Sequence, residues 1–136
     1  MKPEDRDHVK RLLTRSLRVL DEAEHLLHGG FTLGVVNRIY YACFYSVSAL
    51  LLAEGYASSK HSGVMSLFDR LWIKPRRLPE AAGDFYHAMF DRRQKGDYTD
   101  LDEFDRADME SWLAEARTFV DQVVTWFRDN EGLTLD

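Results

Sequence analysis

A chain of 136 residues is sized for one domain. Hydrophobic side chains make up 45% and charged ones 30%, a balance that excludes a disordered or fibrous polymer. The net charge of −5 excludes binding to nucleic acid through overall charge, and a single cysteine, Cys43, excludes a disulfide framework or a cysteine-built zinc ribbon.

The charged start MKPEDRDHVKRLL is unlike a signal peptide. The longest uncharged run inside a periodic segment, residues 39–53, is fifteen residues, short of the ~20 that span a bilayer. These features predict a soluble, cytoplasmic chain without a membrane segment.

Pro3 with Glu4, Asp5 and Asp7 reads as a first helical turn, because proline's fixed φ suits that position and carboxylates favour the positive end of the dipole. Val9, Leu12, Leu13, Leu17, Leu20, Ala23 and Leu27 follow at three- and four-residue steps, an apolar stripe ending at Gly29-Gly30. Thr32 caps a second predicted helix, which runs to about residue 54 and stops at Gly55. Its interior, IYYACFYSVSALLLA, is apolar on almost every face, so neighbours must surround it. A third helix begins at Ser58 or Ser59 and carries Val64, Leu67, Phe68, Leu71 and Trp72 on one side.

After the loop IKPRRLPE, Pro79 opens a fourth helix with Ala82, Phe85, Tyr86 and Met89 inward, interrupted by Gly96. Asp100 and Glu103 have the spacing of a capping box for the fifth. Along that helix Phe104, Trp112, Leu113, Ala116, Phe119, Val120, Val123 and Phe127 form a long seam. No segment alternates as a strand would. The predicted fold is all-α: one domain over residues 1–136, an antiparallel bundle of four long helices and one shorter helix.

Charge is uneven along the chain. Residues 1–59 balance 7 basic against 7 acidic side chains, residues 60–95 carry 8 against 4, and residues 97–136 carry 3 against 12. A basic middle can offer a phosphate-binding surface on a chain that is acidic overall.

Three polar constellations follow. Asn37, Arg38, Tyr41 and Tyr45 share one face of the second helix. Arg38 cannot lose its charge, so it needs a carboxylate, carbonyl or phosphate; a helix-5 acid would serve, and so would a ligand in a polar cleft. Residues 92–100, RRQKGDYTD, form a dense polar turn. Helix-end preferences explain each of these residues singly, while convergence of Arg92 and Arg93 with Arg38 and Tyr41 would make an anion site. Ser59-Lys60-His61-Ser62 opens the third helix, where backbone N–H groups, Lys60 and His61 suit an anion or an exposed polar helix start.

Glu22-x-x-His25 and Asp84-x-x-His87 mimic the ligand pairs of di-iron bundles, but the second helix supplies no inward carboxylate, so no metal or other cofactor is expected. Cys43 reads as a small core residue. No Walker A loop, dinucleotide fingerprint, nucleophile elbow or H-E-x-x-H occurs.

Arg38-Ile39-Tyr40-Tyr41-Ala42-Cys43-Phe44-Tyr45, then Ser59-Lys60-His61-Ser62-Gly63-Val64 with Leu67-Phe68, then Arg92 and Arg93 through Gly96-Asp97-Tyr98, resemble in that order the HEPN (higher eukaryotes and prokaryotes nucleotide-binding) domain. The resemblance spans roughly residues 5–127 and is closest to small stand-alone prokaryotic HEPN proteins. It implies a helical bundle that forms a homodimer and works beside a minimal nucleotidyltransferase in a toxin–antitoxin-like pair. It also implies metal-independent ribonuclease chemistry at an R-x(4–6)-H motif.

Here Arg92-x-x-x-x-Asp97 has the spacing, with aspartate in the histidine's place. An aspartate with pKa near 3.9 is anionic at pH 7 and repels phosphate, whereas a histidine near 6.5 can exchange a proton. The reading is therefore a nucleotide- or RNA-phosphate-binding component without efficient ribonuclease activity. Asn37, Arg38, Tyr41, Lys60, His61, Arg92 and Arg93 bind the ligand, Asp97 stands at the motif, and Tyr98 is the possible AMP acceptor. An active ribonuclease and a protein-interaction bundle are the alternatives.

Overall fold

The computed structural model describes residues 1–98 and 104–135, with the backbone alone for residues 33 and 96–98. Five α-helices follow one another: α1 (Pro3–His28), α2 (Thr32–Ala53), α3 (His61–Phe68), α4 (Glu80–Tyr98) and α5 (Arg106–Glu131). A π-helical turn, Asp69–Ile73, prolongs α3, with the Lys74 N–H donating to the Asp69 carbonyl at 2.8 Å. Among the described residues there is no strand.

Inter-helix contacts fix the directions. Arg38 meets Glu22, Arg15 lies over Tyr45, and Gly34 closes on Leu26, so residue numbers fall on α1 as they rise on α2. Arg93 meets Asn37 while Tyr40 meets Phe90 and Tyr86, which sets α2 against α4 in the same antiparallel sense. Tyr86 and Phe85 touch Phe119, Arg92 touches Trp112, and Arg6 and Arg117 tie α1 to α5. The four long helices thus close an up-down-up-down bundle, with α3 packed on α2 and α4.

α2 touches all four other helices, which accounts for its near-continuous apolar sequence. Counted from Gly34 to Ala53, this segment has the length and hydropathy of a membrane crossing, five residues more than the uncharged run, because the window takes in Arg38. Much of it, 61%, is covered by the bundle. Val35, Ile39, Tyr40, Cys43, Val47 and Leu50 are buried there with Leu13, Leu20, Phe68, Trp72, Tyr86, Met89, Val123 and Phe127 from the other elements. Cys43 is thus a core residue.

Several boundaries differ from the sequence expectation. Leu17 is 39% exposed, and the inward α1 stripe passes through Ser16 instead, whose hydroxyl donates to the Leu12 carbonyl at 3.1 Å. Thr32 is already the first residue of α2, and Phe31 at its cap position makes no side-chain cap. α3 starts at His61 rather than Ser58 or Ser59, since the segment ahead of it folds back and the Lys60 N–H donates to Ser58 Oγ at 3.3 Å. A Cβ on Gly63 would come within 2.1 Å of that hydroxyl, so this close approach needs a glycine. Gly96 does not interrupt α4, which runs on to Tyr98; a single helical glycine costs only about 1 kcal/mol against alanine. The cap of α5 is Asp105, accepting from the Asp108 N–H at 2.8 Å; Asp100 and Glu103 lie outside the described residues. Gly132 ends α5 at φ +59, and Arg6 donates to the Glu131 and Gly132 carbonyls at 3.0 and 3.1 Å, a cation at the negative end of the dipole.

Candidate functional site

One side-chain cluster joins α2, α3 and α4. The Arg93 guanidinium donates from Nε to Asn37 Oδ1 and from Nη2 to Tyr41 Oη, each at 3.3 Å. Its Cζ lies 4.9 Å from the Tyr40 ring centroid and 5.2 Å from that of Tyr41, within cation–π range. Asn37 and Tyr41 are four apart and therefore stacked on one α2 face, which is how a single α4 arginine reaches both. Tyr40 Oη and His61 Nδ1 share a hydrogen bond at 2.9 Å, and the His61 ring stacks on Phe44 at 4.3 Å. The close turn at Gly63 delivers His61 to this place.

Charge sets the character of the cluster. Asn37, Tyr41, His61 and Arg93 are half-buried, while Tyr40 is fully buried. Burial pushes the Tyr40 hydroxyl up to about 12, against the opposing pull of Arg93, so it stays neutral. Burial, and then the neighbouring Arg93 charge, hold the His61 imidazole below its ordinary value. Among the described residues no carboxylate lies within ion-pair distance of Arg93, although Arg38, Arg77, Arg106, Arg117 and Arg128 each have one. A guanidinium carries five N–H donors, and two here point to neutral acceptors. The remaining donors, and a charge that no carboxylate among the described residues meets, suit an oxyanion such as phosphate.

The other expected site residues go elsewhere. Arg38 pairs with Glu22 of α1 at 2.9 Å, not with a helix-5 acid. Arg92 turns to α5, with Cζ 4.1 Å from the Trp112 ring and Nη1 donating to Met89 Sδ at 3.4 Å. Burial lowers its pKa, opposed by Glu115, Asp108 and Asp91. Successive helical residues diverge by about 100°, which turns Arg92 away from the partners of Arg93 and Arg38 away from those of Asn37. The expected convergence of three arginines is not found; of the three, Arg93 alone faces Asn37 and Tyr41. Lys60 is exposed just ahead of α3, and the side chains of Asp97 and Tyr98, at the end of α4, lie outside the described residues.

The carboxylate–x–x–His pairs do not converge: Glu22 holds Arg38, and His87 Nε2 meets Asp69 Oδ2 at 2.5 Å. Among the described residues no three potential metal ligands gather. Sequence reasoning missed the linking role of Tyr40 and Phe44, which looked like ordinary core aromatics. The one available signal was the adjacency of the two tyrosines, which places one ring inward and the other at the surface.

Comparison with known proteins matches this architecture to a family. The family model for the HEPN domain covers residues 9–126. The chain is 43% identical over 115 residues to a UPF0332 protein of Thermotoga maritima, covering 85% of this chain and 87% of that protein. Two Methanocaldococcus jannaschii proteins, each named "Putative toxin", are both 30% identical to it, over 114 and 118 residues, which is 84% and 87% of this chain and 78% and 87% of theirs. A helical bundle that the family model matches over residues 9–126 belongs to the HEPN domain family.

Proposed function

We propose that this HEPN protein is the toxin-like member of a two-component system and binds the phosphate of a nucleotide or of RNA at Arg93, steadied by Asn37 and Tyr41. The observation that supports this most is the half-buried Arg93 charge resting on neutral acceptors with no carboxylate beside it among the described residues. The family resemblance adds a homodimer and a nucleotidyltransferase partner, for which Tyr98 is the AMP acceptor. Titration calorimetry with ATP and with a short RNA tests the site. Arg93→Ala should weaken binding at least tenfold, about 1.4 kcal/mol, as expected for a lost charge-assisted contact. Unchanged affinity would remove this reading.

A second reading, metal-independent ribonuclease activity, draws support from His61. Asp97 cannot replace the motif histidine as a proton donor at pH 7, but His61 stands across Tyr40 from Arg93, with Nδ1 engaged and Nε2 left for proton exchange. RNA cleavage in EDTA that vanishes in His61→Ala and persists in Asp97→Asn would establish that route. Absence of cleavage leaves the binding role.

A further inference from the structure

The Arg93 cluster does not end at Tyr41. The Tyr41 and Tyr45 rings are 5.6 Å apart, centroid to centroid, and Arg15 of α1 lies 5.0 Å over Tyr45. Cation, ring, ring and cation thus follow one another across α2 from Arg93 to α1. Arg11 and Arg18 flank Arg15 at four and three residues, on the same exposed face, together with His8. A shallow depression there is lined by α1 residues alone, none of them acidic. Asp7 and Glu22 bound the patch at its two ends, and Glu22 is taken by Arg38. Among the described residues, Arg11, Arg15 and Arg18 have no ion-pair partner.

We infer that this face is a track for single-stranded nucleic acid, with the backbone on Arg11, Arg15 and Arg18, bases on Tyr45 and Tyr41, and one phosphate at Arg93. The inference rests on the phosphate site proposed at Arg93 and extends it by a surface that a mononucleotide would not reach. Charges interleaved with ring faces distinguish this occupant from an acidic protein surface, which would need the charges alone. The arginines advance about 4.5–6 Å along the helix axis per step, more than the ~3.4 Å rise per nucleotide of a stacked strand. Such a step suits a strand whose bases have left one another for the tyrosines.

The test is fluorescence anisotropy with a labelled twelve-nucleotide RNA and the same sequence as DNA, beside calorimetry with ATP. It compares the parent chain, Arg11→Ala/Arg15→Ala/Arg18→Ala and Arg93→Ala, each checked for helicity by circular dichroism. The triple variant should lose at least tenfold in oligonucleotide affinity, flatten the log–log salt dependence by about 2, and keep ATP affinity within twofold. Arg15→Lys, which retains the charge but not the planar stack, should recover only part of the loss. Oligonucleotide affinity and salt slope unchanged in the triple variant would overturn the track, as would a change confined to sedimentation mass, which would make the face a contact between copies. Loss of ATP binding in Arg93→Ala is a separate result, so failure of the Arg93 site and failure of the track are read on different ligands.

Discussion

Of the four arginines that lie over aromatic rings among the described residues, Arg77 and Arg93 each rest on two rings, and the telling difference between them is a carboxylate. At one end of the molecule Arg77 lies 4.3 Å over Trp72 and 5.3 Å over Trp126, and donates to the Leu71 carbonyl at 3.1 Å. It also grips Glu54 with both arms of its fork, Nη1 to Oε1 at 2.9 Å and Nη2 to Oε2, which holds its pKa above the ordinary value. At the other, Arg93 lies over Tyr40 and Tyr41 and donates to neutral oxygens at 3.3 Å. A neutralised arginine over a π-helical turn clamps α2 to the α3–α4 connection. An arginine in a similar aromatic setting that meets no carboxylate among the described residues is the one proposed above to hold an anion. Proximity to rings therefore says little about role; the presence or absence of the carboxylate says more.

The largest expected separation is in stability. Arg77→Met should cost about 2 kcal/mol by denaturant unfolding, from the lost bidentate pair, the carbonyl left without its donor and the lost cation–π contact, while binding per folded molecule is unchanged. Arg93→Met should cost no more than about 0.5 kcal/mol, since its hydrogen bonds are long and its side chain half-exposed. Equal losses in the two variants would break the distinction.

A smaller effect sharpens it. His61 feels Arg93 and not Arg77, so its imidazole should titrate below the ordinary value in the parent chain and move upward in Arg93→Met, followed by NMR of the ring protons. The sign for stability follows: the unfolded chain takes up the proton near pH 6.5 and the folded chain only at lower pH, so stability is lost as pH falls below about 6.5 and levels off beneath the native value. That slope should shrink in Arg93→Met. A His61 titration indifferent to residue 93 would mean the two groups are not electrostatically coupled. The smallest effect is expected at an exposed pair: Arg106→Ala, which removes the 3.1 Å contact to Glu110 on one face of α5, should change unfolding free energy by no more than about 0.5 kcal/mol.

Much of the bundle was legible in the chain because burial writes a period. The inward residues of α4 and α5, from Ala82 to Met89 and from Leu113 to Phe127, are those whose three- and four-residue spacing predicts them. Leu17 shows the limit: its spacing fits the stripe, but 39% of it is exposed, because a hydrophobic residue at the stripe's margin need not be covered. Gly96 shows another. A helix-stopping preference is worth about 1 kcal/mol, little enough for tertiary packing to override, so α4 passes through the glycine.

By itself the sequence determined the all-helical class, the buried central helix and the short list of polar residues from which a site could be built, since these depend on period, composition and motif order. It also carried the motif likeness that the HEPN family match supports. Only the tertiary structure decided which arginine faces Asn37 and Tyr41, that His61 comes to Tyr40, and that Arg15 continues the row of rings. The reason is geometric. Neighbouring positions on a helix point about 100° apart, so partners are chosen by how helices rotate and cross, quantities that no spacing along one chain contains.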